Sequence, residues 1–242
     1  MKRRAPAPPT DSTIVFTDRA GRSLRARYEH PTAVRLSHWA IALALPILTL
    51  SGLEIFRAFP SFGAKIPQQD LLAVPAWAGL GGWLGGALQW HFTFAWLFLG
   101  AGALYAGYQL ASGNYRQVLL APCDLRGVVP MIRHYLLRHP APAYDGSYNP
   151  LQKLAYTAVL GCGAMVLMSG LALYKPVQLG WLVALLGGFR WVRIWHFASM
   201  CGLLAFLPGH LLMVALHGWS NFRSMWTGWQ LERLTPRKSE AP

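Results

Sequence analysis

The sequence is poor in charge, and above all in acidic residues. Charged residues make up 13% of its 242 positions, whereas globular domains usually have roughly 25%. Only 9 residues are Asp or Glu against 22 Lys or Arg, so the formal net charge is +13. Hydrophobic residues fill 54% of the chain, and 11 residues are tryptophan. This balance favours an integral membrane protein over one or two soluble domains.

Cysteine motifs are missing as well. Cys123, Cys162 and Cys201 stand far apart, and the chain contains neither a CxxCH nor a CxxC motif. The first absence excludes covalent attachment of a c-type haem, and the second argues against an iron–sulfur cluster or a structural zinc ion on this chain. We therefore interpret the three thiols as packing residues.

The basic character of the chain does not indicate nucleic-acid binding. The Lys and Arg residues flank apolar stretches and are not interleaved with aromatic residues in the pattern of a nucleic-acid-binding surface. The start of the chain, MKRRAPAPPT, is not followed by the short apolar core and small-residue cleavage site of a signal peptide. We interpret these charges as signals of membrane topology.

Four stretches are long and apolar enough to cross a bilayer, which takes about 20 residues. They are residues 36–56, 90–110, 154–174 and 191–217. Only helices satisfy the backbone of such segments in lipid, so the sequence predicts an all-α membrane protein with a four-helix transmembrane bundle. Residues 71–88 are uncharged too, but Pro75 and five glycines make a poor helix. We interpret them as an interfacial or re-entrant connector, and residues 177–189 are too short to cross.

The distribution of Lys and Arg predicts the orientation of the spans. Seventeen of these residues lie in the N-terminal tail, the middle loop and the C-terminal tail, against five in the other two loops. By the positive-inside rule both termini are cytoplasmic. The predicted organisation is a basic cytoplasmic tail over residues 1–35, a membrane domain over 36–217 and a cytoplasmic tail over 218–242. The tails and the middle loop are expected to be solvated rather than folded.

Four histidines, His38, His91, His196 and His210, lie within the spans. Ionisable residues inside a membrane are rare and mark functional sites, although each one taken singly is more simply explained as a hydrogen-bonded or interfacial histidine. The topology gives them depth: His38 and His210 lie near the cytoplasmic side, and His91 and His196 near the opposite side. Two pairs at matched depths result.

The interval between His196 and His210 supports this pairing. Fourteen residues of helix turn through ~1,400° and rise ~21 Å, so both imidazoles lie on nearly one face of span four at two depths. Two haems stacked across a membrane need this arrangement, with one axial imidazole from span four and one from span one or span two. His217 lies seven residues beyond His210 on nearly the same face and is an alternative ligand, ranked behind His210.

Four segments resemble a known family, the bacterial di-haem cytochrome b subunits of nickel-iron hydrogenase, formate dehydrogenase and thiosulfate reductase, within the cytochrome b561-like superfamily. The segments are VRLSHWAIALALPILTLSGL, WHFTFAWLFLGAGALYAGYQLASG, YNPLQKLAYTAVLGCGAMVLMSGLALY and RIWHFASMCGLLAFLPGHLLMVALHGWSNFRSMWTG. The resemblance implies two b-type haems, one on His38 and His210 and the other on His91 and His196.

The same resemblance implies a function. The chain is expected to be an electron-transfer subunit in the bacterial inner membrane, between the membrane quinone pool and a periplasmic partner that is a molybdopterin enzyme or a nickel-iron hydrogenase. Arg35 and Arg193 are the nearest candidates for the haem propionates. His217, Ser220 and Asn221 follow His210 and are candidates for a quinone site.

Two alternatives stay open at this point. One is a self-sufficient quinone-coupled oxidoreductase such as a superoxide oxidase, against which the long connector over residues 57–89 argues, because it resembles a docking surface. The other is a haem-free membrane transporter or scaffold. The sequence shows no internal repeat or paired broken helices of the transporter kind, and Glu54 is the one acid in the predicted spans.

Overall fold

The computed structural model describes residues 13–17, 23–60, 62, 74–144 and 148–233. These residues form seven α-helices, one 3-10 helix over Ala76–Ala78 and three strands: β1 Thr13–Thr17, β2 Ser23–Tyr28, α1 Thr32–Ala58, α2 Leu84–Ser112, α3 Tyr115–Val118, α4 Leu125–Leu137, α5 Pro150–Tyr174, α6 Gly180–Leu185, α7 Phe189–Thr227 and β3 Trp229–Arg233. The chain divides into two compact units. One covers residues 37–208, and the other combines residues 1–36 with residues 209–242.

Four of the helices are long and apolar enough to cross a membrane. They are α1, α2, α5 and the Phe189–Leu216 part of α7. Few of their residues are buried in the isolated chain, and large apolar side chains such as Leu43, Trp96 and Leu212 are exposed. Exposed apolar surface of this extent suits a lipid environment and would be a liability in water. The predicted membrane fold with four transmembrane helices is confirmed, and the three strands make it mostly rather than entirely helical.

All four long helices begin before the predicted spans, at Thr32, Leu84, Pro150 and Phe189. α5 begins at Pro150, four residues early, because Asn149 and Gln152 form a reciprocal capping box: the Gln152 N–H donates to Asn149 Oδ1 at 2.9 Å, and the Asn149 N–H donates to Gln152 Oε1 at 3.0 Å. α2 begins at Leu84, so two of the five glycines counted against a helix lie inside one. In the connector before it, Gly81 and Gly82 adopt positive φ angles of 110° and 72°.

All four long helices contribute to one core cluster in the unit of residues 37–208. Its buried centre consists of Ala44 from α1, Phe98 from α2 and Leu203 from α7, and Val159, Cys162, Val166 and Leu167 of α5 pack against it. Gly202 of α7 lies so close to Cys162 that an added Cβ would be 2.7 Å from the Sγ atom. Cys162 is a packing residue as predicted, whereas Cys123 and Cys201 are exposed, so that prediction is wrong for them.

The middle loop is folded onto α5, although the sequence pattern predicted a solvated segment. Val128 and Met131 of α4 are buried, and α4 packs against α5. Lys153 Nζ of α5 lies 3.0 Å from Asp124 Oδ1. Burial alone would raise the pKa of the Asp124 carboxyl, but the hydrogen bond from the Ala121 N–H and the Lys153 ammonium outweigh it and hold this pKa below its usual value.

Parts of both tails also fold, in the other unit. β1, β2 and β3 form an antiparallel sheet in that order, with Thr13 opposite Arg27 and Tyr28 opposite Trp229. The strands β2 and β3 are about 200 residues apart in the chain, so no local pattern predicts their pairing. The Pro-rich start and the KSEAP end lie outside the described residues.

Candidate functional site

Two of the four span histidines face each other in the unit of residues 37–208. His91 lies on α2 and His196 on α7, and their ring centroids are 6.2 Å apart with an interplanar angle of 63°. Both histidines are partly buried. The sequence paired these two residues by depth alone, and the fold brings their imidazoles together.

Each imidazole is held by a serine on a different helix. The Ser51 Oγ atom of α1 lies 3.1 Å from His91 Nδ1, and the Ser169 Oγ atom of α5 lies 3.1 Å from His196 Nδ1. Both serines are fully buried.

The residue after each serine is a glycine that leaves room for the ring. A Cβ atom on Gly52 would lie 3.2 Å from His91 Cε1, and one on Gly170 would lie 3.1 Å from His196 Cε1. Such distances are tighter than ordinary van der Waals contact, so a larger residue at either position would press on the imidazole. Ser and Gly together define where each ring can lie.

The contacts of these four supporting residues with the imidazoles were not predicted from the sequence. A signal existed, because the tripeptide Ser-Gly-Leu occurs both at residues 51–53 in α1 and at residues 169–171 in α5. Serine and glycine are common in membrane helices, which hides the pattern until the histidines that it contacts are known. The same serine–histidine contact thus occurs twice, although the sequence shows no internal repeat of the transporter kind.

The geometry fits a haem iron bound between the two imidazoles. A ligating imidazole nitrogen lies about 2 Å from its metal and about 1 Å from its own ring centre, so two imidazoles on opposite sides of one iron have centroids about 6 Å apart. Among the described residues, no group of three or more His, Cys, Asp or Glu lies together. Two imidazoles alone leave a zinc ion short of ligands, whereas a porphyrin supplies the four remaining nitrogens itself.

The other two span histidines lie in different units. His38 lies near the start of α1, with its ring 5.0 Å from that of Trp39, and His210 lies on α7 two residues after Pro208. Their pairing stays a prediction from the sequence.

The two arginines proposed for propionates both bind backbone carbonyl groups. Arg35 donates from Nη1 to the Trp226 carbonyl and from Nη2 to Thr32 Oγ1. Arg193 donates from Nη2 to the Phe59 carbonyl at 2.9 Å, and its guanidinium carbon lies 4.9 Å from the Phe59 ring centroid. These contacts give each arginine a structural role. The binding of haem propionates by Arg35 and Arg193 stays a prediction.

The residues proposed for a quinone site lie around a break in α7, where Gly218 has a φ of 78°. Ser220 Oγ donates to the Leu231 carbonyl at 2.8 Å and accepts from the Leu231 N–H at 3.1 Å, so its hydroxyl joins α7 to β3. The Asn221 carbonyl accepts from Ser224 Oγ at 2.6 Å. Of His217 the structure describes the backbone only.

Residues 29–228 match the family described as prokaryotic cytochrome b561. The chain belongs to this family. It is therefore a multi-pass membrane cytochrome that binds b-type haem and transfers electrons, and the family assignment expected from the four segments is confirmed. All four span histidines fall within the matched residues.

Curated relatives cover most of the chain. It is 38% identical over 187 residues to a putative protein-methionine-sulfoxide reductase subunit, YedZ1, of Azospira oryzae, across 77% of this chain and 90% of the relative. It is 27% identical over 225 residues to a probable Ni/Fe-hydrogenase B-type cytochrome subunit of Cupriavidus necator, across 86% of each. A protein of the same description from Azotobacter chroococcum is 26% identical over 210 residues, across 80% of this chain and 82% of the relative. No solved structure matches the chain.

Proposed function

We propose that this cytochrome is a di-haem electron-transfer subunit that connects the quinone pool with a periplasmic oxidoreductase. His91 and His196 hold one haem b, and His38 and His210 hold the other. The protein lies in the bacterial inner membrane with both termini in the cytoplasm, as the excess of Lys and Arg in the tails and the middle loop indicates. The observation that carries the proposal is the 6.2 Å separation of the His91 and His196 ring centroids.

The protein's part in this function is to orient two imidazoles. The buried serines and the adjacent glycines restrict both rings. Bound haem b supplies an iron that gains and loses one electron at a time.

The relatives suggest the class of partner. The chain is more similar to the methionine-sulfoxide reductase subunit, at 38% identity, than to the hydrogenase subunits, at 26% and 27%. We therefore favour a periplasmic methionine-sulfoxide reductase of the molybdopterin class as the partner, ahead of a nickel-iron hydrogenase. Membranes that contain the reduced cytochrome and its native partner should then reoxidise the haem when methionine sulfoxide is added. Haem reduction by hydrogen gas would favour the hydrogenase.

The haem proposal is tested on the chain expressed alone and purified in detergent. A dithionite-reduced minus oxidised spectrum is expected to show the α band of a b-type haem, and extraction of the haem is expected to yield two per chain. His134→Ala is a matched control, because His134 lies on α4 and contacts the His139 carbonyl at 2.6 Å, away from the span histidines. A preparation that is folded but lacks the α band would contradict the proposal.

A further inference from the structure

Ser51 and Ser169 occupy equivalent positions against the two imidazoles. We propose that they are positioning residues that fix the tautomer of His91 and His196 and lower the reduction potential of the haem between them. This inference depends on the proposed haem ligation by these two histidines. Serine is a common packing residue in membrane helices, so this role goes beyond what the residue type alone indicates.

The direction of each hydrogen bond follows from the number of protons available. The Ser51 hydroxyl donates to the Ile47 carbonyl at 2.7 Å, and the Ser169 hydroxyl donates to the Met165 carbonyl at 2.6 Å. A hydroxyl has one proton, and each Oγ atom lies closer to its carbonyl oxygen than to the imidazole nitrogen at 3.1 Å, so we assign the proton to the carbonyl and each Oγ atom accepts a hydrogen bond from the imidazole. The proton of each ring is therefore on Nδ1.

A ring protonated on Nδ1 has its free lone pair on Nε2. The Nε2 atoms of His91 and His196 are thus the ones available to bind iron. No rearrangement of the ring or its tautomer is needed before the haem binds. The serines in this way prepare both ligands at once, from opposite sides of the site.

The same contacts should tune the bound iron. A hydrogen bond accepted from Nδ1–H increases the electron density of the imidazole and makes it a stronger ligand, which stabilises ferric over ferrous iron and lowers the potential. Both serines are fully buried, so water cannot replace the lost contact. Gly52 and Gly170 still confine the two rings when the hydroxyl is removed. We therefore expect the haem to stay bound but to change its potential.

The experiment is a redox titration of the purified full chain and its serine variants, followed at the α band. Ser51→Ala and Ser169→Ala should each raise the reduction potential of the haem on His91 and His196 and leave that of the other haem unchanged. The double variant should shift the potential of the same haem further. If ferric affinity falls tenfold more than ferrous affinity, the rise is about 59 mV for one electron. Ser→Cys at either position should behave like alanine because a thiol of similar size is a weak acceptor.

Two further variants separate a tuning role from a packing role. Ser→Thr keeps the hydroxyl and should return the potential towards that of the wild type. Thr49→Val is the matched control, because Thr49 is a buried residue of α1 whose hydroxyl has no hydrogen-bond partner among the described residues. It should leave both potentials unchanged.

Unchanged potentials in the alanine variants, with the haem retained, would overturn the inference. A cysteine variant identical to the wild type would do the same. If an alanine variant loses its haem, recovery of the haem with threonine supports the inference, and failure of threonine to restore it indicates a packing role and overturns it. Absence of a b-type α band in the wild type would refute the haem ligation itself, which is a different outcome from these.

Discussion

The α1–α2 half of the His91–His196 site and the α5–α7 half are alike at the imidazole and different one helical turn further on. In both halves a Ser-Gly pair holds a histidine of the next long helix, with contacts that agree within 0.1 Å. Three residues after the serine, α1 has Glu54 and α5 has Ala172. Glu54 forms an ion pair with Arg57 at 2.8 Å, whereas Ala172 is buried in a cluster with Leu182 and Val192.

This comparison shows which contacts the two halves share at the imidazoles and which differ with the connectors around them. The serine and histidine are 40 residues apart in one half and 27 in the other. The contact is therefore made by two neighbouring helices and does not depend on the length or the sequence of the connector between them. Glu54 packs against Gly79 of the connector between α1 and α2, and Ala172 packs against Leu182 of the connector between α5 and α7. The residue one turn beyond each serine is therefore matched to its connector.

The largest expected effect is the loss of a ligand from either half. His91→Ala and His196→Ala should each remove the same haem, so each variant should keep about half of the haem content of the wild type. The reason is that an iron left with one axial imidazole loses an anchoring ligand of its site. Haem extracted per chain measures this. Loss of the haem in one variant and full retention in the other would show that the two histidines do not share an iron.

A smaller effect should follow from adding a methyl group beside either imidazole. Gly52→Ala and Gly170→Ala place a Cβ atom 3.2 Å and 3.1 Å from the Cε1 atoms of the two histidines, so both should displace a ring by a few tenths of an ångström and weaken haem binding. Residues that support a metal ligand typically cost about tenfold in affinity when they are changed, and we expect losses on this scale. Haem titration of the apoprotein measures them.

Gly102→Ala is the control for this pair. Gly102 lies in α2 like His91, but a Cβ atom there would meet only Leu167 Cδ1, at an ordinary contact distance of 3.8 Å. Haem affinity should be unchanged in this variant. Equal losses in all three glycine variants would mean that helix packing in general, rather than contact with the imidazoles, explains the effect.

The Asp124–Lys153 ion pair stabilises the start of α5, and its contribution to stability can be tested by mutation and by pH. Asp124→Asn removes the carboxylate that faces Lys153, and the two side chains are only 15% and 11% exposed. Loss of one partner leaves a largely buried charge, so we expect a cost of about 2–3 kcal/mol in the free energy of unfolding. A thermal melt in detergent, followed by the helix signal, measures the loss.

The stability that the Asp124–Lys153 ion pair contributes should decrease as the pH falls. Because the pKa of the Asp124 carboxyl is lowered in the folded chain, its contribution is complete above the ordinary carboxyl pKa of about 3.9 and is lost as the pH falls through the lower, folded value. The difference in melting temperature between the wild type and Asp124→Asn should therefore be largest near neutral pH and shrink on acidification. A difference that grew on acidification would contradict this assignment.

The smallest effect concerns the end at which the two halves differ. Glu54→Ala makes the α1 half resemble the α5 half, and it should cost about 1–2 kcal/mol in the free energy of unfolding because a partly buried ion pair and the packing of Gly79 against the carboxylate are lost. Arg57 is about one third exposed and can be solvated, which limits the loss. The α band should not change, since Glu54 lies a full turn from Ser51. A shifted haem spectrum would show that this end also belongs to the site.

Much of the fold could be predicted from the sequence, since long apolar spans and sparse charge are local signals. The pairing of His91 with His196 could be predicted as well, because topology fixes the depth of a residue in a helix that crosses the membrane. Ser51 and Ser169 could not, because a serine in a span has no depth or face that distinguishes it from a packing residue until the contacting helix is known. The repeated Ser-Gly-Leu tripeptide becomes meaningful only beside the histidines.

The errors at the helix ends and in the tails have physical causes too. Glycine lowers helix propensity in water, but Gly85 and Gly86 lie in the first turn of a 29-residue helix whose formation is decided by its apolar length. The capping residues Asn149 and Gln152 are a local signal that the span prediction did not use. The sheet of β1, β2 and β3 joins the two ends of the chain, and short polar strands of this kind give no periodic pattern strong enough to be recognised.

The central claim is that His91 and His196 bind one iron between them. Its most direct test is the haem content of the purified double variant His91→Ala/His196→Ala, measured beside the wild type and beside each single variant. We expect two haems per chain in the wild type and one in each single variant, with no further loss in the double variant, because all three changes empty the same site. A double variant that retained both haems, or that lost more haem than either single variant while still folded, would contradict the claim.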